Sequence, residues 1–227
     1  MHIRKEKSKM KNEEELKGKF LIVIGREYGS GGRRIGKLLA DRLGVNYYDR
    51  TLLREAAQRL GYSTEIFERK DERRPSLIRS ILSFTYGANT ANFEGAPMSD
   101  EKIYESQSRV IRDICARESC VIVGRTADYV MRRHPGLISL FVHAPLERRV
   151  ENILRSGEFS DEEEARDKAV AIDRRRESYY NYYTNRQGWG QANNYHLSFD
   201  SSRIGDEEII STVKSMIERL VGDKNID

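Results

Sequence analysis

A glycine-rich turn stands between a short apolar run and an amphipathic pattern, and this arrangement restricts the fold more than any other feature of the sequence. Residues 19–24 are typical of a strand buried on both faces of a parallel sheet, because the apolar run is continuous and glycine ends it. After the turn, apolar residues recur at helical spacing from Ile35 to Leu43, and Gly44 follows. The sequence therefore predicts a strand, a loop and a helix in succession.

The loop has the composition of a phosphate-binding turn. Gly29, Gly31 and Gly32 allow backbone N–H groups to converge on an anion at the positive end of the following helix. An ordinary tight turn is the alternative interpretation, since helices often begin near glycine. The strand before the loop and the helix after it favour phosphate binding.

The loop departs from the regular Walker A pattern, which requires a lysine followed by Ser or Thr. When residues 29–32 are laid over a phosphate loop, Gly32 occupies the lysine position. A shift of one residue places Arg33 there and Arg34 at the hydroxyl position. A guanidinium can carry the same charge, but its planar fork does not copy the reach of an ammonium group.

These alignments give a set of candidate ligands for a nucleoside triphosphate. The predicted phosphate-binding residues are Gly29, Ser30, Gly31, Gly32, Arg33 and Arg34. A magnesium ion would lose its usual hydroxyl ligand in this loop. Its ligands are left open between Ser30 and, through water, Asp49.

Strands and helices alternate along the rest of the chain. Further strands are predicted over 45–49, 120–124, 137–142 and 195–200. Helices are predicted over 50–60, 99–118, 146–183, which Gly157 can break, and 209–220. This alternation predicts an α/β domain with a mostly parallel sheet and helices on both faces.

The domain is expected to occupy residues 19–222, after a charged tail over 1–18. Between 61 and 98 the apolar periodicity fails and Pro, Gly and Asn recur. This stretch is interpreted as a mobile acceptor-binding insertion, with undetected elements as the alternative. The helices within 146–190 are predicted to form a lid.

Arg125 is a second candidate for anion binding, because it follows an apolar strand that ends in Gly124. Ligands of open α/β sheets lie outside the carboxyl ends of the strands, so Arg125 is expected to project into the same crevice as the glycine loop. A surface arginine at a strand end is the alternative. Asp128 is predicted to orient Arg125, cap a helix or bind a metal through water.

Residues 173–176 read Asp-Arg-Arg-Arg within the predicted lid. Such a run is usually a solvated helix face, but phosphoryl transfer requires cations that neutralise the moving group. The same reasoning covers Arg148 and Arg149. The tyrosines between 179 and 183, with Trp189, are interpreted mainly as packing residues, with base stacking as the alternative.

Composition excludes several classes of protein. The net charge is +4, but both signs are interspersed along the chain, which argues against a nucleic-acid-binding stripe. No apolar run approaches the roughly 20 residues that cross a bilayer. The N-terminal residues lack the apolar region of a secretory signal, so a soluble cytoplasmic protein is expected.

Cys115 and Cys120 match neither a disulfide framework nor a zinc site and are predicted to be reduced packing residues.

Four segments carry a family resemblance: residues 20–36, with Arg-Glu-Tyr-Gly-Ser-Gly-Gly-Arg, Tyr48-Asp49, residues 121–125 and residues 195–200. Together they resemble the cytidylate-kinase-like family, within the nucleoside-monophosphate kinases. The resemblance spans about 19–220. It implies a P-loop nucleoside-triphosphate-hydrolase-like fold with a mobile acceptor-binding or lid insertion. It also implies ATP with Mg²⁺ as donor and CMP or a similar nucleotide as acceptor.

The resemblance also suggests roles for individual residues. Arg125 matches the arginine that holds the acceptor phosphate in cytidylate kinases, and Asp173 and Arg176 match residues that address the acceptor nucleotide. Two positions depart from the family pattern. Ala169 stands where an arginine is expected, and His143 stands where an acid is usual. The turn expected after the second strand is also missing.

The leading hypothesis is ATP-dependent phosphorylation of a nucleoside monophosphate, with cytidylate suggested by the resemblance. The predicted catalytic residues are Arg33, Arg125, Arg149 and Arg176. The predicted acceptor-binding residues are Asp49, Arg125, Asp128, Asp173 and Arg176. A kinase for another small acceptor and a non-catalytic nucleotide sensor are the alternatives, and the oligomeric state is left open.

Overall fold

The computed structural model describes residues 18–61, 100–185 and 188–222. The described strands are β1 (Leu21–Arg26), β2 (Asn46–Tyr48), β3 (Cys120–Val123), β4 (Leu137–His143) and β5 (Leu197–Asp200). The described helices are α1 (Gly32–Leu43), α2 (Arg50–Arg59), α3 (Asp100–Arg117), α4 (Ala127–Val130), α5 (Leu146–Arg155), α6 (Glu162–Thr184) and α7 (Asp206–Gly222). A 3-10 turn covers Ala192–Asn194.

The five strands form one parallel sheet in the order β2-β3-β1-β4-β5. β1 lies at the centre, where Ile24 is in register with Val123 of β3 and Leu140 of β4. The first four residues of β1 and all of β3 are buried, as expected for strands covered on both faces. The predicted α/β fold with a parallel sheet is confirmed.

Each face of the sheet carries its own hydrophobic core. On one face, Leu21 and Val23 of β1 pack with residues of α2, α3 and α4. On the other face, Ile22 and Ile24 pack with residues of α1 and α7. Successive strand residues point to opposite faces, so β1 contributes to both cores. Helices therefore cover both faces, as predicted.

The long helical region predicted over 146–183 is divided into α5 and α6. Gly157, at φ 75°, lies in the connection between them. The Asp161 carboxylate then accepts the Glu164 N–H at 2.8 Å and caps α6. The break predicted at Gly157 is confirmed, and the two helices pack against each other through small and aliphatic side chains.

Several elements differ from the sequence-based prediction. Strand β1 covers Leu21–Arg26 rather than 19–24 and so runs through Gly25, and α7 begins at Asp206 rather than at 209. Helix α4 has only four residues, too few to show a helical period, and the pattern did not reveal it. The last strand begins at Leu197 rather than at Tyr195. Tyr195 instead follows the 3-10 turn, and its ring packs against Phe141 with 5.0 Å between the ring centroids.

Two predicted segments fall outside the described residues: the charged tail, apart from Gly18, and the insertion over 61–98, apart from Gly61. Within the described ranges, no helix is long and apolar enough to cross a membrane. Cys115 and Cys120 are both buried and form no disulfide. This agrees with the packing role predicted for them.

Candidate active site

A cleft with a volume of about 1510 Å³ opens at the carboxyl ends of β1 and β3. Most of the predicted site residues line it: Gly29, Gly31, Gly32, Arg33, Arg34, Asp49, Arg125, Asp128 and Arg176. Ser30, Arg149 and Asp173 are not on its described walls. The sheet topology thus brings the glycine loop and Arg125 to one cleft, as the strand-end argument predicted.

The glycine loop turns directly into α1. Gly29 and Gly31 adopt left-handed backbone angles, with φ of 78° and 82°, and α1 begins at Gly32. Gly31 occupies the N-cap position, and no side chain caps this helix end among the described residues. The first N–H groups of a helix lack partners within the helix, and they attract an anion. The geometry is that of a phosphate-binding loop.

Close packing under the loop explains why two of these residues are glycine. A Cβ atom on Gly29 would lie 2.6 Å from the backbone carbonyl oxygen of Arg149. A Cβ atom on Gly32 would lie 2.6 Å from the Cβ of Arg26. Both distances are too short for a side chain, so the loop can lie against α5 and β1 only with glycine at these positions.

Ser30 faces the protein interior rather than the cleft. Its side chain is buried, and its hydroxyl donates to the Glu27 carbonyl at 2.9 Å. Its carbonyl accepts the Ser201 hydroxyl at 2.7 Å, which joins the loop to the segment after β5. Ser30 therefore shapes the loop, and the hydroxyl is directed away from the position that a metal ligand would need.

Arg33 and Arg34, the two candidates for the missing lysine, both have carboxylate partners. Arg33 Nη2 lies 2.5 Å from Asp49 Oδ2, and Arg34 forms an ion pair with Asp206. Asp49 is buried, and its other oxygen accepts the N–H groups of Thr51 at 3.0 Å and of Leu52. Asp49 is thus the N-cap of α2 as well as the partner of Arg33.

We expect Asp49→Ala to lower the free energy of unfolding by roughly 1–2 kcal/mol, because α2 loses its cap. Asp49→Asn is the matched control, since an asparagine oxygen can still accept the two N–H groups. Denaturant midpoints of the two variants and the wild type measure the effect. If Asp49→Ala and Asp49→Asn lost the same stability, the charge pair with Arg33, rather than the cap, would stabilise the start of α2.

Arg125 reaches the cleft from an unusual backbone conformation. Arg125 and Thr126 have φ of 64° and 50°, in the left-handed region that side chains other than glycine rarely adopt. The Thr126 hydroxyl lies within hydrogen-bonding distance of the Arg125 carbonyl, at 2.6 Å, and of Tyr104 Oη, at 3.2 Å. Asp128 accepts the Tyr180 hydroxyl at 2.8 Å and is buried. This hydrogen bond links α4 to α6, which was not among the roles predicted for Asp128.

A buried ionic network lies behind the loop and centres on Arg149. Its Nη1 lies 2.6 Å from Asp173 Oδ2 and donates to the Tyr28 carbonyl at 3.2 Å. Its Nε donates to the Ala144 carbonyl at 2.9 Å and lies 3.3 Å from Glu27 Oε2. The structure therefore places Arg149 beneath the loop, whereas the sequence prediction had it close over the transferred group.

Asp173 joins α6 to the same loop. Its Oδ1 accepts the Tyr28 N–H at 2.8 Å and lies 3.6 Å from Arg176 Nη1. Burial raises the pKa of Asp173, while the Tyr28 N–H and the guanidinium groups of Arg149 and Arg176 favour its charged form. Its described contacts fix the loop, and its part in acceptor binding stays a prediction.

Glu27 was not singled out from the sequence. Its Oε2 accepts the Ala144 N–H at 3.1 Å and pairs with Arg149, so it ties the loop to the end of β4. A carboxylate inside a glycine-rich phosphate loop is unfavourable there unless a cation faces it. The presence of Glu27 in the loop was therefore a signal that a cation lies nearby. The partner, Arg149, lies 122 positions away and could not be identified by spacing.

Most aromatic residues near the end of α6 pack as predicted, whereas Tyr182 is 50% exposed. Tyr179 and Tyr180 are buried, and Tyr183 stacks on Tyr104 with ring centroids 4.1 Å apart. Trp189 meets the edge of Phe141 at 5.2 Å between ring centroids. These contacts hold the C-terminal half of α6 on α3, and the segment after α6 on β4.

The described residues contain no group of three or more His, Cys, Asp or Glu that could hold a metal ion. Mg²⁺ that arrives with a nucleotide keeps several waters and needs only one or two protein carboxylates beside the phosphates. Asp49 lines the cleft and could bind such an ion through water. Ser30, the other candidate, is turned inward.

The fold and the site together define a class of protein. A glycine loop opens α1 beside the central strand of a parallel sheet, and Arg125, which follows β3, and Arg176 of α6 line the same cleft. This is a phosphotransferase of the nucleoside-monophosphate-kinase type.

Comparison with known proteins identifies the family. The family model described as the cytidylate kinase-like family matches residues 21–203, and the chain belongs to this family. A curated relative, the cytidylate kinase of Methanosarcina barkeri (strain Fusaro / DSM 804), is 29% identical over 88% of this chain and 98% of its own length.

A solved structure shows the same fold. An uncharacterized protein from Eubacterium ventriosum ATCC 27560 superposes with a TM-score of 0.65 at 23% identity, over 88% of this chain and 99% of the other. A gluconokinase from Sinorhizobium meliloti 1021 matches with a TM-score of 0.49 at 16% identity, over 92% of this chain and 98% of the other.

Proposed function

We propose that the protein transfers the γ-phosphoryl group of ATP to a nucleoside monophosphate, with CMP as the first acceptor to test. One observation carries the proposal: the glycine loop and Arg125, two anion-binding elements from different strands, line the same cleft. Transfer between two phosphates requires a donor site and an acceptor site that face each other. Membership of the cytidylate kinase-like family supports the nucleotide as acceptor.

The chemistry needs positioning and charge neutralisation more than covalent participation by the protein. The loop between β1 and α1 would bind the donor phosphates through its N–H groups, and Arg125 would hold the acceptor phosphate. Arg176, whose Nη1 donates to the Arg26 carbonyl at 3.2 Å, would close the cleft from α6. Bound Mg²⁺ would neutralise charge on the triphosphate.

A coupled assay of ADP release tests the proposal against its alternatives. We expect turnover with one or more nucleoside monophosphates in a panel that also includes small alcohols and sugars. Turnover only with a non-nucleotide acceptor would indicate another small-molecule kinase. ATP binding without turnover on any acceptor would favour a nucleotide sensor and contradict the proposal.

Two arginines are expected to separate acceptor use from donor use. Arg125→Ala should raise the acceptor KM about 10- to 100-fold, the value of a hydrogen bond to a charged group, with little change in the KM for ATP. Arg33→Ala should act mainly on ATP. Steady-state kinetics with each substrate varied in turn measure both effects.

Arg42→Ala is the control for these variants, because Arg42 lies on the same helix as Arg33 and pairs with Glu207 on the surface. An unchanged KM for ATP in Arg33→Ala would show that Arg33 serves only to hold Asp49. An unchanged acceptor KM in Arg125→Ala would remove the acceptor site from β3.

A further inference from the structure

Arg26 is the last residue of β1 and opens the Arg-Glu-Tyr-Gly-Ser-Gly-Gly-Arg segment, but neither the Walker comparison nor the family resemblance assigned it a role. Its side chain runs between two glycines. A Cβ atom on Gly32 would meet the Arg26 Cβ at 2.6 Å and its Cγ at 3.2 Å. A Cβ atom on Gly124 would overlap Arg26 Nη1. Arg26 therefore extends from the start of α1 to the end of β3 across space that only glycine leaves open.

The path of Arg26 joins the two candidate anion sites. Gly32 is the first residue of α1, where the donor phosphates would bind, and Gly124 directly precedes Arg125. Arg26 and Arg125 both line the cleft. The Arg26 guanidinium thus lies beside the point where a donor phosphate and an acceptor phosphate would approach each other.

Three other arginines near the loop form ion pairs that also fix their positions. Arg33 pairs with Asp49, Arg34 with Asp206, and Arg149 with Glu27 and Asp173. The backbone of Arg26 is fixed as well, because its carbonyl accepts the Arg176 guanidinium. The Arg26 side chain lies against Gly32 and Gly124. Such a guanidinium is suited to stabilise charge that develops during a reaction, since little reorganisation is required.

We propose that Arg26 binds the terminal phosphate of the donor nucleotide and supplies the charge that a Walker lysine supplies in regular phosphate loops. This inference rests on the proposed phosphoryl transfer. In that reaction the bond between Pγ and the β,γ-bridging oxygen breaks as an acceptor phosphate oxygen bonds to Pγ. The leaving ADP keeps the electron pair, and Arg26 neutralises charge without accepting or donating a proton.

Arg26→Met removes the charge and keeps an unbranched apolar side chain, whereas Arg26→Lys keeps a cation with different geometry. We expect Arg26→Met to lower kcat about 100-fold or more, and Arg26→Lys to retain part of the activity. The unfolding midpoint should stay close to that of the wild type. Arg42→Met, on the exposed face of α1, is the matched control and should leave kcat unchanged.

Calorimetric binding of ATP and AMP separates this inference from the proposed function. Contact with the terminal phosphate predicts that Arg26→Met weakens ATP binding about tenfold or more and AMP binding little. This result would support Arg26 even if the wild type showed no turnover. Equal ATP affinity in wild type and Arg26→Met, or a kcat within threefold of the wild type, would overturn the inference. A wild type that bound no ATP would overturn both proposals.

Discussion

Arg149→Met is expected to destabilise the protein by roughly 3–5 kcal/mol, which is the cost of removing one partner from a buried ionic network. The guanidinium has contacts with Glu27, Asp173 and two backbone carbonyls, and its side chain is only 9% exposed. Without it, two carboxylates face each other behind the loop with one cation fewer. We expect the loop to lose its shape and nucleotide affinity to fall with stability.

Arg148→Met provides the control from the adjacent position. Arg148 is 51% exposed and pairs with Glu151 one helical turn away, a pair worth a few tenths of a kcal/mol. Chemical denaturation of both variants measures the difference. If the two variants unfolded at the same denaturant concentration, the network around Arg149 would not be a source of stability.

Gly29→Ala is expected to abolish nucleotide binding and to lower stability through two separate effects. The left-handed backbone at φ 78° costs a side chain about 1–2 kcal/mol. The new Cβ would also lie 2.6 Å from the Arg149 carbonyl, and backbone atoms cannot move away as a flexible side chain can. The loop must shift to relieve this contact, which moves its N–H groups away from the phosphate.

Gly44→Ala separates the two effects. Gly44 ends α1 at φ 66°, and a Cβ atom there would meet no atom within 4 Å. It has the backbone cost without the steric contact. We expect Gly29→Ala to be less stable than Gly44→Ala by roughly 1–3 kcal/mol, and only Gly29→Ala to lose ATP binding. Equal stability and equal binding would show that the loop tolerates the contact.

The layout of the fold was predictable from the sequence because it depends on local patterns. Continuous apolar runs ended by glycine mark β1 and β3, and the alternation of strands with helices predicts the parallel sheet. The same rule, that ligands lie at the carboxyl ends of parallel strands, brought Arg125 to the glycine loop. The break at Gly157 also follows from a single residue.

The contacts behind the loop were not predictable, because they join residues far apart in the sequence. The pairing of Glu27 with Arg149 depends on how α5 packs beneath the loop, and spacing along the chain does not contain that information. The hydrogen bond that holds the Ser30 carbonyl comes from Ser201, which lies 171 positions away. An acid directly before a helical pattern is a local signal for capping, but Asp49 was predicted only as a ligand.

The left-handed backbone at Arg125 and Thr126 sets a trade-off between the stability of the fold and the affinity of the site. Each such residue costs about 1–3 kcal/mol, and the rest of the domain must offset that cost. If Arg125 binds the acceptor phosphate as proposed, a backbone that is fixed before the ligand arrives reduces the conformational entropy lost on binding. Selection for thermal stability alone would favour glycine at position 126. The gain in stability would be accompanied by weaker binding of the proposed acceptor.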